Sequence, residues 1–452
     1  MTGGRQGGSA ADCSLDRLLL PLGHVPAIEV NEPADAPTWL RSGDWRVYAR
    51  PAEPSSRGEE VARFTLDDGH ELTACVDPER GTASLPFDPS EAYRNYISEA
   101  WAPASASRRL SSRQLDLFYR VKRFLPHKAR LSGRRLLIRW QGLPSFPAWP
   151  LDTSVSRLLR FYAYCLLRAT CAREGQFAWF WPHGKRAALI LTHDVESAEG
   201  LRGALELADL EEELGFRSSF NLGAWYDVDP GFVGELTGRG FEIGLHSLHH
   251  DRSLFESRAS FESQLPGIAE LREKLGAEGF RSPATHRVFD WLGELPVSYD
   301  CTIPNSDPYE PQPGGCSSVW PFFIGPVVEL PYTLPQDNTV FTLLGHRSPA
   351  LWLEQAAAIE VEHGLIQCLA HPDPGYLGDR DKRAYYTEFL RAMAEKEHLW
   401  RALPREVAAW WRERDQGAAN STPGRIRIGD SPAEVEFEPP AAMPAATAGG
   451  GA

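Results

Sequence analysis

Short apolar runs alternate with amphipathic stretches along the second half of the chain. RAALILT (186–192) reads as a buried strand, and ALELADLEEELGF (204–216) as a helix closed by Gly215. RSSFNLGAW, FEIGLHS, VVELPYT and LIQCLAH have strand character. PGFVGELTGRG, SFESQLPGIAELREKLG and PALWLEQAAAIEVEHG have helical spacing. Strand alternating with helix implies parallel strands, and the length favours a barrel over an open layer. Functional groups then belong just past the C-terminal ends of the strands.

The first half has a different rhythm. WRVYAR, ARFTLDDGHELTACV and TASLPF are short strands split by turn residues. LDLFYRVKRF (115–124) is a helix stopped by Pro126, RRLLIRW (134–140) a strand, and SVSRLLRFYAYCLLRATC (154–171) a helix with a broad apolar face. The expected organisation is α/β: a poorly ordered N-terminus over 1–40, a smaller α+β domain of unassigned role over 41–180, a distorted (β/α) barrel over 181–413, and a disordered Pro/Ala/Gly-rich tail over 414–452.

Composition narrows the partners. The 452 residues are 42% hydrophobic and carry a net charge of -14. That balance argues against nucleic acid, whose phosphates need a basic surface. Seven cysteines without a Cys-x-x-Cys pair form neither a disulfide framework nor a zinc ribbon. No apolar run is long enough for a signal-peptide core or a membrane span, so a cytoplasmic protein is expected. Against this acidic background, residues 108–139 hold eleven Lys or Arg and one acid, Asp116. The block reads either as a solvated helix face or as a peripheral contact with anionic membrane lipid or a pyrophosphate-linked carrier.

Candidate chemistry collects at the predicted strand ends. RAALILT runs into His193, Asp194, Val195 and Glu196; FEIGL into His246, Ser247, Leu248, His249 and His250; the strand near Phe280 into Arg281, Ser282 and Pro283; and LIQCLA into His371. His246 and His250 are four apart, which in a helical turn places two imidazoles on one side, as a first-row transition metal needs. Taken singly, Asp194 could be a helix N-cap, Arg281 a surface cation and His371 a turn residue; their convergence is the signal.

Together these residues resemble the polysaccharide deacetylases, carbohydrate esterase family four. The family's His-Ser/Thr-x-x-His motif matches His246–His250, its Arg-x-Pro matches Arg281–Pro283, and its last motif ends in a His matched by His371. Its first motif, Thr-Phe-Asp-Asp, is represented by Thr192-His193-Asp194-Val195-Glu196, with Val195 where the second Asp stands. The resemblance covers about half of the chain. It implies a distorted (β/α) barrel that removes acetyl groups from an N-acetylated carbohydrate, either a polysaccharide or its lipid- or nucleotide-linked precursor. It further implies a divalent metal, zinc foremost, on Glu196, His246 and His250. Asp194 would be the base, His371 the acid, and Arg281 would be oriented by Asp300, or by Asp307. Asp194 or His193 as a metal ligand remains open. So do two other readings of the fold, a metal-independent amidohydrolase and a catalytically inactive glycan-binding barrel.

Overall fold

The computed structural model describes residues 14–21, 25–55, 57–102, 135, 142–417 and 422–440. Its first half is organised by a six-stranded sheet of β1 (Ala27–Glu29), β2 (Thr38–Ser42), β3 (Trp45–Ala49), β4 (Glu59–Leu66), β5 (Glu71–Asp77) and β6 (Thr82–Ser84), in the order β1-β6-β5-β4-β2-β3. The turn residues between Leu66 and Glu71 close the β4–β5 hairpin. Helix α1 (Leu15–Leu19) and helix α2 (Pro89–Ile97) accompany this sheet, and Asp88 caps α2 through Ser90 N at 2.8 Å. Helix α3 (Ser154–Ala169) packs on β3, β5 and β6 with one side and on the C-terminal strands with another, so twelve of its sixteen residues are buried.

The second half is a curled nine-stranded sheet, ordered β13-β14-β12-β11-β10-β9-β8-β15 with β16 (Leu399–Arg401) added beside β8 (Ala187–Val195). β9 (Ser219–Leu222), β10 (Glu242–Leu245), β11 (Gly279–Phe280), β12 (Tyr299–Asp300), β14 (Val327–Glu329) and β15 (Leu365–Ala370) are parallel to their neighbours in this order. β13 (Phe322–Ile324) is antiparallel to β14. Every residue of β8, β9, β10 and β15 is buried, as expected of parallel strands covered on both faces. The barrel is distorted because, among the described residues, no strand pairs with β15 on its side away from β8. Residues 333–334 bridge the gap instead: Leu334 N donates to the Gln367 carbonyl at 3.1 Å, and Gln367 N to Thr333 Oγ1 at 2.9 Å.

Two segments expected to lack order are structured. Leu15, Leu18 and Leu19 of α1 are buried, and Arg17 forms an ion pair with Asp415. In the expected tail, β17 (Pro423–Ile428) and β18 (Val435–Glu438) pair with β7 (Glu174–Ala178) as a three-stranded antiparallel sheet. The cause is visible in RIRIGDSPAEVEFE. Ile426, Ile428, Val435 and Phe437 alternate with charged residues and are buried, a period-two pattern masked by the Pro/Ala/Gly composition of the last residues. The basic block at 108–139, the helix at 115–124 and the strand at 134–140 lie outside the described residues, Arg135 excepted. Among the described residues no helix is long and apolar enough to cross a membrane.

Candidate metal centre and hydrolytic site

The pleat of β8 sorts the first motif by face. Thr192 and Asp194 point one way, toward Arg281 and His246. His193 points the other, into the layer of helix α4 (Ala198–Glu213). His193 Nε2 donates to Glu211 Oε1 at 2.6 Å and its ring stacks on Phe220 with centroids 4.9 Å apart. It is therefore a core residue, and the option of His193 as a metal ligand is corrected by strand alternation. Val195 is buried in the core, and Glu196, two residues beyond Asp194, returns to the side of the site.

Glu196, His246 and His250 each offer a ligand atom, and these atoms lie within 4.8 Å of one another. The pair from the second motif is brought together by a loop and not by a helical turn. Residues 246–250 are irregular, and Ser247 takes a φ of 74°, which turns the chain back over the end of β10. His246 Nδ1 donates to the Arg281 carbonyl at 3.0 Å, which fixes the tautomer and leaves Nε2 as a lone-pair donor. That Nε2 is buried with no hydrogen-bond partner. His250 Nε2 donates to Glu196 Oε1 at 3.1 Å, and its side chain is 38% exposed, so the site opens to solvent on this side. Ligands held at ~2.0–2.2 Å from a zinc ion sit roughly 3–4 Å apart, so the triad needs only a small contraction. The orphaned imidazole nitrogen and the two-imidazole, one-carboxylate set fit a divalent transition metal.

Asp194 and His371 flank this triad. Asn221 Nδ2 donates to Asp194 Oδ1 at 2.7 Å, and Asp194 Oδ2 lies 3.9 Å from His246 Nδ1. Burial opposes ionisation of Asp194, but the charges of His246, Arg281 and His371 and the Asn221 bond overcome it and hold its pKa below the ordinary value. Glu196 behaves alike: against burial, its bond to His250 and the neighbouring imidazoles bring it down to about 2. His371 Nδ1 donates to Asp337 Oδ1 at 2.7 Å, and its backbone N–H donates to Asp337 Oδ2 at 3.1 Å. Burial disfavours the imidazolium, yet Asp337 raises the pKa of His371 to about 10. Its Nε2 lies 3.8 Å from Glu196 Oε1.

Arg281 is completely buried. Its Nη2 donates to Thr192 Oγ1 at 3.1 Å, and its carbonyl holds His246. The expected hydrogen-bonded pairing with Asp300 is not formed. Asp300 accepts instead from Thr302 N at 3.2 Å and Thr302 Oγ1 at 2.7 Å, and acts on Arg281 only as a nearby charge. Asp307 lies further round the barrel, accepting from Tyr332 O–H at 3.0 Å. The aspartate that orients a site residue by a direct bond is Asp337, and its partner is His371.

Other residues escape sequence reasoning. Trp225 sits over both metal-site imidazoles, 5.6 Å from the His246 ring and 4.9 Å from that of His250, while its Nε1 donates to the Glu196 carbonyl at 3.0 Å. Tyr226 O–H donates to the Val195 carbonyl at 2.7 Å. Asp373 accepts from Glu196 N at 2.9 Å and from the Ser197 hydroxyl. A Cβ on Gly203 would lie 2.0 Å from the Pro372 carbonyl oxygen, so this glycine lets α4 approach the loop after His371. Asn221 lies in a recognisable strand and Trp225 just after it, but nothing in the sequence pattern separates them from ordinary packing residues.

The loops leaving β10 and β11 carry a further group of polar and charged residues. A cavity of about 310 Å³ is lined there by Arg252, Phe255, Glu256, His286, Arg287 and Gln312. Its rear is fixed from the first half of the chain. Glu99 accepts from Arg287 Nε and Nη2 at 2.6 Å each and from Gly315 N at 2.6 Å.

No family model matches the sequence, and neither does any curated protein. Among solved structures, a putative polysaccharide deacetylase from Mycobacterium smegmatis is 21% identical, covering 54% of this chain and 95% of its own at a TM-score of 0.43. A probable polysaccharide deacetylase from Pseudomonas aeruginosa is 17% identical, with coverage of 52% and 93% and a TM-score of 0.42. An allantoinase is 16% identical, with coverage of 51% and 92% and a TM-score of 0.41. The chain is thus similar, at low identity and over about half its length, to structures bearing deacetylase and allantoinase names.

Proposed function

We propose that the chain is a metal-dependent hydrolase that removes acetyl groups from an N-acetylated sugar. The observation that carries this reading is the convergence of three elements at one barrel mouth: the Glu196–His246–His250 triad, Asp194 held by Asn221, and His371 held by Asp337 with its Nε2 3.8 Å from Glu196. A divalent cation held by the triad, zinc foremost, supplies Lewis acidity toward the acetamide carbonyl and the attacking water. The protein's own groups do the proton work. Asp194, kept ionised by its cationic neighbours, takes the proton of the water as its oxygen adds to the acetamide carbon. His371, held by Asp337 as the imidazolium, gives the nitrogen its proton as the C–N bond breaks, so acetate and a free amine leave. Base and acid thus have opposite protonation states at neutral pH, as the reaction needs.

We place the sugar in the 310 Å³ cavity whose Arg252 follows His250 by two residues in the chain, a volume near the lower end of small-molecule sites. In a cytoplasmic setting it is a lipid- or nucleotide-linked precursor and not a finished wall polymer. The basic block at 108–139 then holds the enzyme at anionic lipid, which vesicle sedimentation at low and high salt reads directly. Acetate release from N-acetylglucosamine-containing substrates, with zinc supplied, tests the reading. Release by wild type and none by Glu196→Gln supports it; equal release by both would sink it.

A further inference from the structure

Behind Arg281 lie two carboxyl groups that the proposed hydrolysis does not use. Asp300 and Glu329 are register partners on the parallel strands β12 and β14, and both are completely buried. Two carboxylates side by side in a dry interior repel each other and both lack hydration, so one of them keeps a proton. Arg281 is the cation that acts on both, and its charge also acts on Asp194. One guanidinium does not balance three carboxylates.

The bonding pattern identifies the protonated partner. Asp300 is supplied with donors by Thr302, through its N–H at 3.2 Å and its hydroxyl at 2.7 Å. Glu329 Oε1 accepts from Ile303 N at 2.8 Å, whereas Oε2 is buried with no donor facing it. An ionised oxygen left in that state is costly, but an O–H there is satisfied by donating to Asp300. Burial raises the pKa of both groups, and the charge of Asp300 pushes Glu329 well above the usual carboxylate range. The titratable neighbours Cys301 and Cys316 are themselves buried with their thiols pushed up and stay neutral.

We propose that Glu329 is a positioning residue: it keeps its proton, donates it in a hydrogen bond to Asp300, and the pair presents a single negative charge that seats Arg281 at the site. The effect on rate rests on the deacetylase reading, but the shared proton does not. The Arg281 carbonyl fixes the His246 tautomer, so the seating of Arg281 is transmitted to the triad.

Infrared difference spectroscopy of the full chain, wild type minus Glu329→Gln, tests the proton without any substrate. At pH 8 the other raised glutamate, Glu242, with a pKa of about 7, is ionised. The expected result is a carboxylic-acid carbonyl band present in wild type and lost in Glu329→Gln. Absence of that band in the difference spectrum overturns the proposal, whatever the substrate proves to be. In the deacetylation assay, Glu329→Gln, which can still donate to Asp300, keeps kcat within about threefold of wild type. Glu329→Leu, which leaves Asp300 without that donor, lowers kcat by ~30-fold with little change in KM. Equal losses in the two variants would also overturn it, and a wild type without deacetylase activity would count against the functional reading while the infrared result still decides the shared proton.

Discussion

Among the described residues the barrel contains two buried, hydrogen-bonded imidazole–carboxylate pairs with nearly the same geometry. His193 meets Glu211 at 2.6 Å, and His371 meets Asp337 at 2.7 Å. They lie on neighbouring parallel strands, since Ala370, just before His371, is paired in register with His193. What differs is where the second ring nitrogen looks. His193 Nδ1 is enclosed in the wall between β8 and α4, where Tyr386 also donates to Glu211 at 2.6 Å. His371 Nε2 faces Glu196 and the open side of the triad. The same pair is a structural bolt on one side of the sheet, and on the other it is the one we propose as the proton donor. Strand parity, more than residue type, decides which.

Breaking each pair should separate these roles. The largest effect is expected from His371→Ala, which removes the proton donor and should cut kcat by ~10²–10⁴-fold while the protein remains folded. Near-full activity of that variant would remove His371 from the mechanism. His193→Ala should do the reverse. Leaving Glu211 buried without its imidazole partner costs ~3–5 kcal/mol in a denaturant titration, while kcat per folded molecule stays close to wild type. A collapse of kcat at unchanged stability would reverse the assignment of the two pairs.

A smaller effect sharpens the comparison through pH. In the metal-free protein the folded pKa of His371, about 10, stands above its ordinary value of 6.5. Its contribution to stability is therefore full below pH 6.5 and is lost as the pH rises toward 10. Unfolding midpoints measured in chelator should fall across that window in wild type and fall less in Asp337→Asn. Identical slopes would show that Asp337 does not charge His371. The smallest effect is expected from Glu99→Gln. It weakens the clamp on Arg287 and the cavity wall, raising KM several-fold with kcat little changed.

The sequence was most readable where physics acts locally. Buried strands of β8 and β15 show as apolar runs, and their exits show as His193-Asp194-Val195-Glu196 and His371. His246 and His250 lie close together, but not for the reason their spacing implies. Their spacing suggested a helical turn, but a loop with Ser247 at positive φ brings the rings together. Asp337 was invisible because it lies in PQDN, where a polar residue before a turn is ordinary, and only the closure of residues 333–337 against β15 carries it to His371. Asp300, expected to orient Arg281, accepts its hydrogen bonds from Thr302 instead, a local side-chain competition no periodicity encodes. In the C-terminal segment, composition outweighed an alternation that was present in RIRI and VEFE.

The central claim is that Glu196, His246 and His250 form a metal site. The most direct test is the metal content of purified full-length protein, wild type beside the His246→Ala/His250→Ala double variant, after equilibration with zinc, cobalt or nickel and removal of free ion. About one metal per chain in wild type and none in the double variant is the predicted result. Metal-free wild type after loading, or equal metal in both proteins, would contradict it.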